Sequence, residues 1–202
     1  MIHRMAETDP STLATSVLER VRRQDPEGWE RLTRLYTRIV YAWVRKGGIS
    51  EADAPDVVQD VFLEVFRSVT RFERDREKSH TFTGWVRTIT RRRAIDFLRR
   101  AKDPDPTGGT DARLLLEQLA ATAESASDLR VRDGSTTELV RRGLELVQSS
   151  FEDRTWNAFT ATALQNRPAQ DVARELGMSI GAVYVARSRV IKRLRNELDG
   201  LV

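Results

Sequence analysis

Apolar residues recur along this chain at helical spacing. Leu32, Leu35, Tyr36, Ile39, Val40 and Trp43 fall at i, i+3, i+4 and i+7 intervals, which puts them on one face of an amphipathic helix. Gly47 and Gly48 end that pattern. Asp53 is the expected N-cap of the next helix, with Pro55 tolerated in its first turn. Val57, Val58, Val61, Phe62, Val65 and Val69 form a second apolar face. A further helix is predicted over 83–100, with Trp85, Ile89, Ile95 and Leu98 among its apolar positions. No stretch alternates with period two, so the expected fold class is all-α.

The helical pattern falls into two blocks. Residues 103–110 (Asp-Pro-Asp-Pro-Thr-Gly-Gly-Thr) concentrate helix breakers and start a linker. A short helix is expected within it over 114–123, and 124–136 is polar again. Apolar periodicity resumes with Leu139, Leu144, Leu146, Val147 and Phe151. The expected organisation is therefore two small helical bundles, over 1–102 and 136–202, joined by a flexible linker over 103–135. Leu13, Val17, Leu18 and Val21 also sit at helical spacing. The N-terminal helix or arm over 1–24 thus packs on the first bundle or serves a regulatory contact. No internal repeat is present.

Composition narrows the chemistry. The 202 residues hold no cysteine and two histidines, His3 and His80. Disulfides, zinc–thiolate sites and thiol nucleophiles are thereby excluded, and no histidine-based metal or catalytic site is expected. No cofactor is expected either. No apolar run approaches the roughly 20 residues of a membrane span. The first ten residues lack an apolar signal core, so the expected location is the cytoplasm. The net charge of +4 conceals an alternation: −2 over 1–66, +8 over 67–102, −6 over 103–153 and +4 over 154–202. Two basic blocks flanking an acidic one suit two anion-binding surfaces, or else two solvated helix faces.

The most specific motif lies near the C-terminus. Ala173 is followed four residues later by Gly177, and Val183 comes six residues after that. Val172, Leu176, Met178 and Ala186 supply further small or apolar positions. This is the spacing of a helix-turn-helix: a small residue where two helices cross, a turn residue tolerant of positive φ, and an apolar anchor. Ser179 is placed to cap the second helix. Such a helix presents its first turns to base edges and its basic residues to phosphates. The candidates are Ser179, Ile180, Gly181, Ala182, Tyr184, Val185, Arg187, Ser188, Arg189, Lys192 and Arg193. On a helical wheel Arg187 lies toward the core side, beside Val183 and Val190, where its stem would snorkel.

Two further clusters lie in the first block. Asp56, Gln59, Asp60 and Arg67 surround Leu63, which projects away from the apolar face. A leucine among acids and amides suits a protein contact, although single exposed leucines are common. The charged stretch 71–78 precedes a helix in which arginines alternate with aromatics. Arginines beside rings suit single-stranded nucleic acid, because bases stack on rings while guanidinium groups hold phosphates. Phe72, Phe82 and Trp85 are the ring candidates, with core packing as the other role open to them. Asp96 has Arg92 and Arg93 within helical reach as ion-pair partners.

Together these motifs resemble a bacterial RNA polymerase sigma factor of the sigma-70 family, extracytoplasmic-function (ECF, group IV) type. Asp-Val-Val-Gln-Asp-Val-Phe at 56–62 resembles the family's region 2.2. That implies contact with the coiled coil of the polymerase β′ subunit for Asp56, Gln59, Asp60 and Leu63. Phe-Thr-Gly-Trp-Val at 82–86 and Arg-Ala-Ile-Asp-Phe-Leu-Arg at 93–99 resemble regions 2.3 and 2.4, which melt the promoter and read its −10 element. The residues implied there are Phe72, Arg74, Arg76, Lys78, Trp85, Arg87, Thr88, Arg91, Arg92, Arg93 and Arg99. The helix-turn-helix resembles region 4, which reads the −35 element as duplex. Two positions depart from the family pattern: Arg92 stands where Asn is frequent, and Ala186–Arg187 reverses a frequent basic–apolar order.

The resemblance implies a transcription initiation factor with no active site. Its partners would be core RNA polymerase, through the β′ coiled coil and β flap, and promoter DNA, with an anti-sigma factor possible. The acidic linker would mimic nucleic acid in a basic channel or act as a solvated spacer. The competing expectation is a stand-alone helix-turn-helix regulator that binds duplex without polymerase. An enzymatic role lacks support, because there is no Gly-rich phosphate loop and no His/carboxylate cluster with ligand spacing.

Overall fold

A computed structural model describes residues 16–72, 81–101 and 134–201. Eight α-helices account for most of them: α1 (Val17–Arg22), α2 (Pro26–Lys46), α3 (Ala54–Ser68), α4 (Phe82–Ala101), α5 (Ser135–Gln148), α6 (Asp153–Phe159), α7 (Ala169–Leu176) and α8 (Ile180–Leu198). A 3-10 turn, Val69–Arg71, extends α3, and a π-helical turn, Thr160–Leu164, extends α6. No strand occurs among the described residues. The all-α expectation therefore holds. The segment 114–123 and most of the linker lie outside the described residues, as do the histidines and Leu13.

Local chemistry sets the helix ends. Ser16 Oγ accepts from the Glu19 N–H at 3.3 Å, opening α1. The Asp25 carboxylate accepts from the Glu27 N–H at 3.0 Å, opening α2 just ahead of Pro26. Arg20 reaches across the α1–α2 turn to Asp25 and Glu27, both at 2.5 Å. Gly47 then closes α2, as its position implies. The expected cap on α3 differs in detail. Asp53 occupies the N-cap position, but its side chain makes no cap hydrogen bond. Its carboxylate instead accepts from the Ser50 hydroxyl at 2.6 Å, and Ser50 Oγ takes the Asp53 N–H at 3.1 Å.

The first bundle, α1–α4, buries the apolar face read from the sequence. Val21, Leu35, Tyr36, Val40, Val44, Ala54, Val61 and Phe82 have no exposed surface. At its centre Phe82 packs edge-on against Tyr36 (5.7 Å between centroids) and Phe72 (5.3 Å), with Trp85 tilted against both Phe72 and Phe82. Val17, Leu18 and Val21 join the same core, which places α1 on this bundle. Farther along the chain, Ala158, Ala161, Val172, Ala173, Val183 and Ala186 form a second, smaller cluster.

The two blocks do not stand apart. Leu139 from α5 and Leu198 and Leu201 at the end of α8 belong to the apolar cluster of the first bundle. Arg31 of α2 pairs with Glu197 of α8 at 2.7 Å, and Arg193 meets the same carboxylate at 3.2 Å. The main-chain carbonyl of Leu201 accepts from the Thr83 N–H at 3.2 Å and the Thr83 hydroxyl at 2.6 Å. With the Thr83 proton committed there, the Tyr36 hydroxyl donates to Thr83 Oγ1 at 2.8 Å.

Candidate nucleic-acid and partner interfaces

The first candidate face belongs to α3. Positions 56, 59, 60 and 63 follow i, i+3, i+4, i+7 and share one side of the helix, opposite the buried Val57, Val58, Val61 and Val65. Asp56 and Gln59 are exposed, Asp60 is half-buried, and Leu63 keeps 45% of its surface. The stripe continues one turn further to Phe66, which is 48% exposed and lies 5.0 Å from the Trp29 ring of α2. Phe66 and Trp29 were not among the sequence candidates. The signal was present, since Phe66 stands three residues after Leu63. Two adjacent exposed apolar side chains rimmed by acids and an amide form a patch suited to a protein partner.

The second candidate face belongs to α4. Thr81 Oγ1 accepts from the Gly84 N–H at 3.1 Å and starts the helix. Thr88, Arg92 and Arg99 are exposed along it. The other candidate arginines, Arg87, Arg91 and Arg93, are more constrained. The Arg87 guanidinium lies over the Trp43 ring at 5.8 Å, and Arg93 pairs with Glu64 of α3 at 2.6 Å. Arg91 is half-buried, with its Nε enclosed and unpartnered. Arg93 is thus held against α3 instead of projecting as a free phosphate contact. Phe72 corrects the sequence reading more strongly. It is only 5% exposed, because its ring closes the aromatic cluster beneath α4, and Arg22 covers it at 5.8 Å. No face of Phe72 is open for a base to stack on, and Phe82 is fully buried. Trp85 is half-buried and remains the ring nearest the surface. Arg74, Arg76 and Lys78 lie outside the described residues.

The third candidate face is the helix-turn-helix, α7 and α8. Gly177 adopts φ +59°, the left-handed conformation its place in the motif demands, and the Met178 N–H closes on the Ala173 carbonyl at 2.8 Å. Ser179 Oγ accepts from the Ala182 N–H at 3.1 Å and caps α8. Arg154 of α6 donates to the Gly177 carbonyl and ties the turn to the preceding helix. Val183, Ala186 and Val190 face inward. Ile180, Gly181, Tyr184, Val185, Arg187, Ser188, Arg189 and Lys192 are exposed, with Ala182 half-buried. The snorkelling expected of Arg187 does not occur: Ala186 takes the position between Val183 and Val190, and Arg187 points to solvent. Arg193 is also corrected, since its side chain is bound to Glu197 and turned away from the exposed face.

Among the described residues, no group of three or more His, Asp or Glu side chains is placed to hold a metal. No helix among them is long and apolar enough to cross a membrane. The candidate faces are one mixed acidic–apolar face on α3 and two basic faces, on α4 and α8.

Residues 32–103 match the family described as Sigma-70 region 2. The chain is 33% identical over 72 residues to the ECF RNA polymerase sigma factor SigE of Mycolicibacterium smegmatis, an alignment covering 36% of this chain and 26% of that protein. It is 28% identical over 162 residues to the probable RNA polymerase sigma factor RfaY of Xanthomonas campestris pv. campestris, covering 80% of this chain and 37% of that protein. It is 24% identical over 195 residues to the ECF RNA polymerase sigma-E factor of Haemophilus influenzae, covering 93% of this chain and 96% of that protein. The matches thus span about a quarter and about a third of the first two relatives, and almost the whole of the third.

Proposed function

The chain belongs to the sigma-70 family of RNA polymerase sigma factors, ECF type, and from that premise we propose that it binds core RNA polymerase and directs it to promoters. In this reading the α3 face docks on the β′ coiled coil, with Leu63 and Phe66 as apolar anchors and Asp56, Gln59 and Asp60 as the polar rim. The α4 face, through Arg92, Arg99, Thr88 and Trp85, holds the non-template strand of the opened −10 element. The first turns of α8 read the −35 element as duplex. Ile180, Tyr184 and Val185 meet base edges there, and Arg187, Arg189 and Lys192 meet phosphates. Contact with the β flap falls to the second block. The bond-making chemistry stays with the polymerase, and this chain contributes position and strand separation.

The observation that carries this reading over a stand-alone duplex-binding regulator is the α3 stripe. A regulator that only gripped duplex would leave Leu63 and Phe66 exposed side by side with no role. The test is transcription by purified core polymerase with and without the chain on a genomic template library. Promoter-specific starts that depend on the chain are expected, and their absence overturns the proposal. Gln59→Ala combined with Leu63→Ala should weaken core binding at least 10-fold, while the full-length variant keeps its affinity for duplex. Arg92→Ala with Arg99→Ala should instead impair promoter opening and spare core binding.

A further inference from the structure

We propose that Arg22, in the last turn of α1, is a positioning residue for promoter opening: it pins Phe72 against Trp85 and so sets the tilt of the ring on which the separated strand stacks. Arg22 makes two contacts with a residue 50 positions away. Its guanidinium lies over the Phe72 ring, 5.8 Å from the centroid, and its Nη2 donates to the Phe72 carbonyl. A cation within about 6 Å of a ring centroid is attracted to the ring's face. The carbonyl contact holds the main chain of the same residue, so ring and backbone are gripped together. A basic residue in the last turn of a helix ordinarily complements the terminal carbonyls of its own helix. Arg22 instead serves the carbonyl of Phe72, which caps the 3-10 turn Val69–Arg71. Other residues anchor α1 itself: Val17, Leu18 and Val21 are buried, and Arg20 makes the ion pairs to Asp25 and Glu27.

The effect of that grip passes through one ring. Trp85 leans on two neighbours, Phe72 at 5.1 Å and Phe82 at 5.4 Å between centroids. The two supports are held differently. Phe82 is fully buried and packs edge-on against Tyr36 in the middle of the bundle. Phe72 closes the 3-10 turn, where its N–H reaches the Val69 carbonyl at 3.1 Å, and Arg22 covers a face of its ring. Arg22 is itself exposed, so its removal opens Phe72 to solvent without leaving a cavity in the core. Phe72 is then free to tilt away while Phe82 stays. Trp85 falls in line along α4 with Thr88, Arg92 and Arg99, at i, i+3, i+7 and i+14. The next step rests on the promoter-directing role proposed above, in which that line holds the opened strand. A base stacks best on a ring already fixed at one tilt, because a rocking ring must be ordered at the moment of binding.

Two measurements test the role. The full-length chain holds four tryptophans, Trp29, Trp43, Trp85 and Trp156. With fluorotryptophan in their place each gives one fluorine NMR line, and Trp85→Phe assigns the one from Trp85. Arg22→Ala should move or broaden the Trp85 line and leave the other three where they are. Arg22→Met, which keeps the stem without the donors, serves as the second variant if the shorter side chain unsettles α1. A Trp85 line unmoved in the folded variant overturns the proposal. The second measurement uses the full chain saturated with core polymerase on a promoter recovered in the transcription assay above, with a fluorescent base analogue in the non-template strand of the −10 element. Arg22→Ala should lower the open-to-closed ratio about 5-fold, the low end of what one base–ring stack contributes. Arg22→Lys, which keeps a cation and a donor, should recover most of that loss. In a Trp85→Ala background Arg22→Ala should have no further effect. Losses that simply multiply overturn the positioning role, because Arg22 would then act on the strand without Trp85. A Trp85 line that responds to Arg22 in a chain that opens no promoter sustains the grip on Trp85 and overturns the proposed function instead.

Discussion

Arg93 and Arg193 show how partners decide what a residue is free to do. Both sit in basic runs that invite assignment to nucleic acid, yet Arg93 is held by Glu64 on another helix and Arg193 by Glu197 at i+4 on its own. A linear pattern displays neighbours on one helix but not across two, so Glu64 as the partner of Arg93 was hidden. Phe72 was misplaced for a related reason: a ring beside charged residues looks solvent-facing until the cluster that encloses it is assembled. Tyr36 gives a sharper test. Burial raises its phenol pKa, and its hydroxyl donates to Thr83 Oγ1. Tyr36→Phe removes that donor while Thr83 keeps Leu201, so urea unfolding should report a loss of about 1 kcal/mol. Asp25 and Glu27 add a pH dependence. Hydrogen bonds from Arg20 hold both carboxyls below their ordinary values. Their contribution is fully present above an unfolded carboxylate pKa of about 4. It is lost as pH falls through the lower folded values. Thermal midpoints measured between pH 6 and pH 2 should therefore drop at the acid end, and less so in an Arg20→Ala variant.

Each helix was legible because its apolar residues repeat near 3.6 and its ends carry punctuation. α2 ends at the glycine pair, and α4 differs by a residue at each end from the predicted 83–100. Asp53 shows the limit of that punctuation, since the Ser50 hydroxyl donates to its carboxylate, which makes no cap bond. The helix-turn-helix is the element in which local chemistry and function are most tightly joined. Gly177→Ala must place a Cβ in the left-handed region, at a cost of about 1–2 kcal/mol. Ser179→Ala leaves the Ala182 N–H uncapped, at about 1 kcal/mol. Both changes should lower the thermal midpoint. Both should also weaken duplex binding in the full chain, because the first turn of α8 carries Ile180 and Gly181.

For the molecule as a whole, the alternation of charge was visible in the sequence but the closure was not. Leu139, Leu198 and Leu201 look like ordinary apolar positions of a small second bundle, and Glu197 like one more solvated acid. Nothing in a periodicity says that a residue buries itself in a distant block. The charge pattern supports a prediction at this scale. Duplex affinity should fall steeply with salt, since phosphate contacts release counterions. Changing Arg187, Arg189 or Lys192 to Gln should each reduce the slope of log K against log salt by about 0.9. Gln at Arg193 should leave that slope nearly unchanged, because its guanidinium is already committed to Glu197.

The acceptor that Thr83 meets is a main-chain carbonyl, and this shapes how the chain is able to diverge. No point mutation deletes a carbonyl, so inherited variation acts on that contact only through the residues around it. Across descendants that retain it, position 200 should remain glycine wherever position 18 is large, and exchanges at 31 and 197 should arise as pairs. Lineages that have lost it should show those four sites drifting independently.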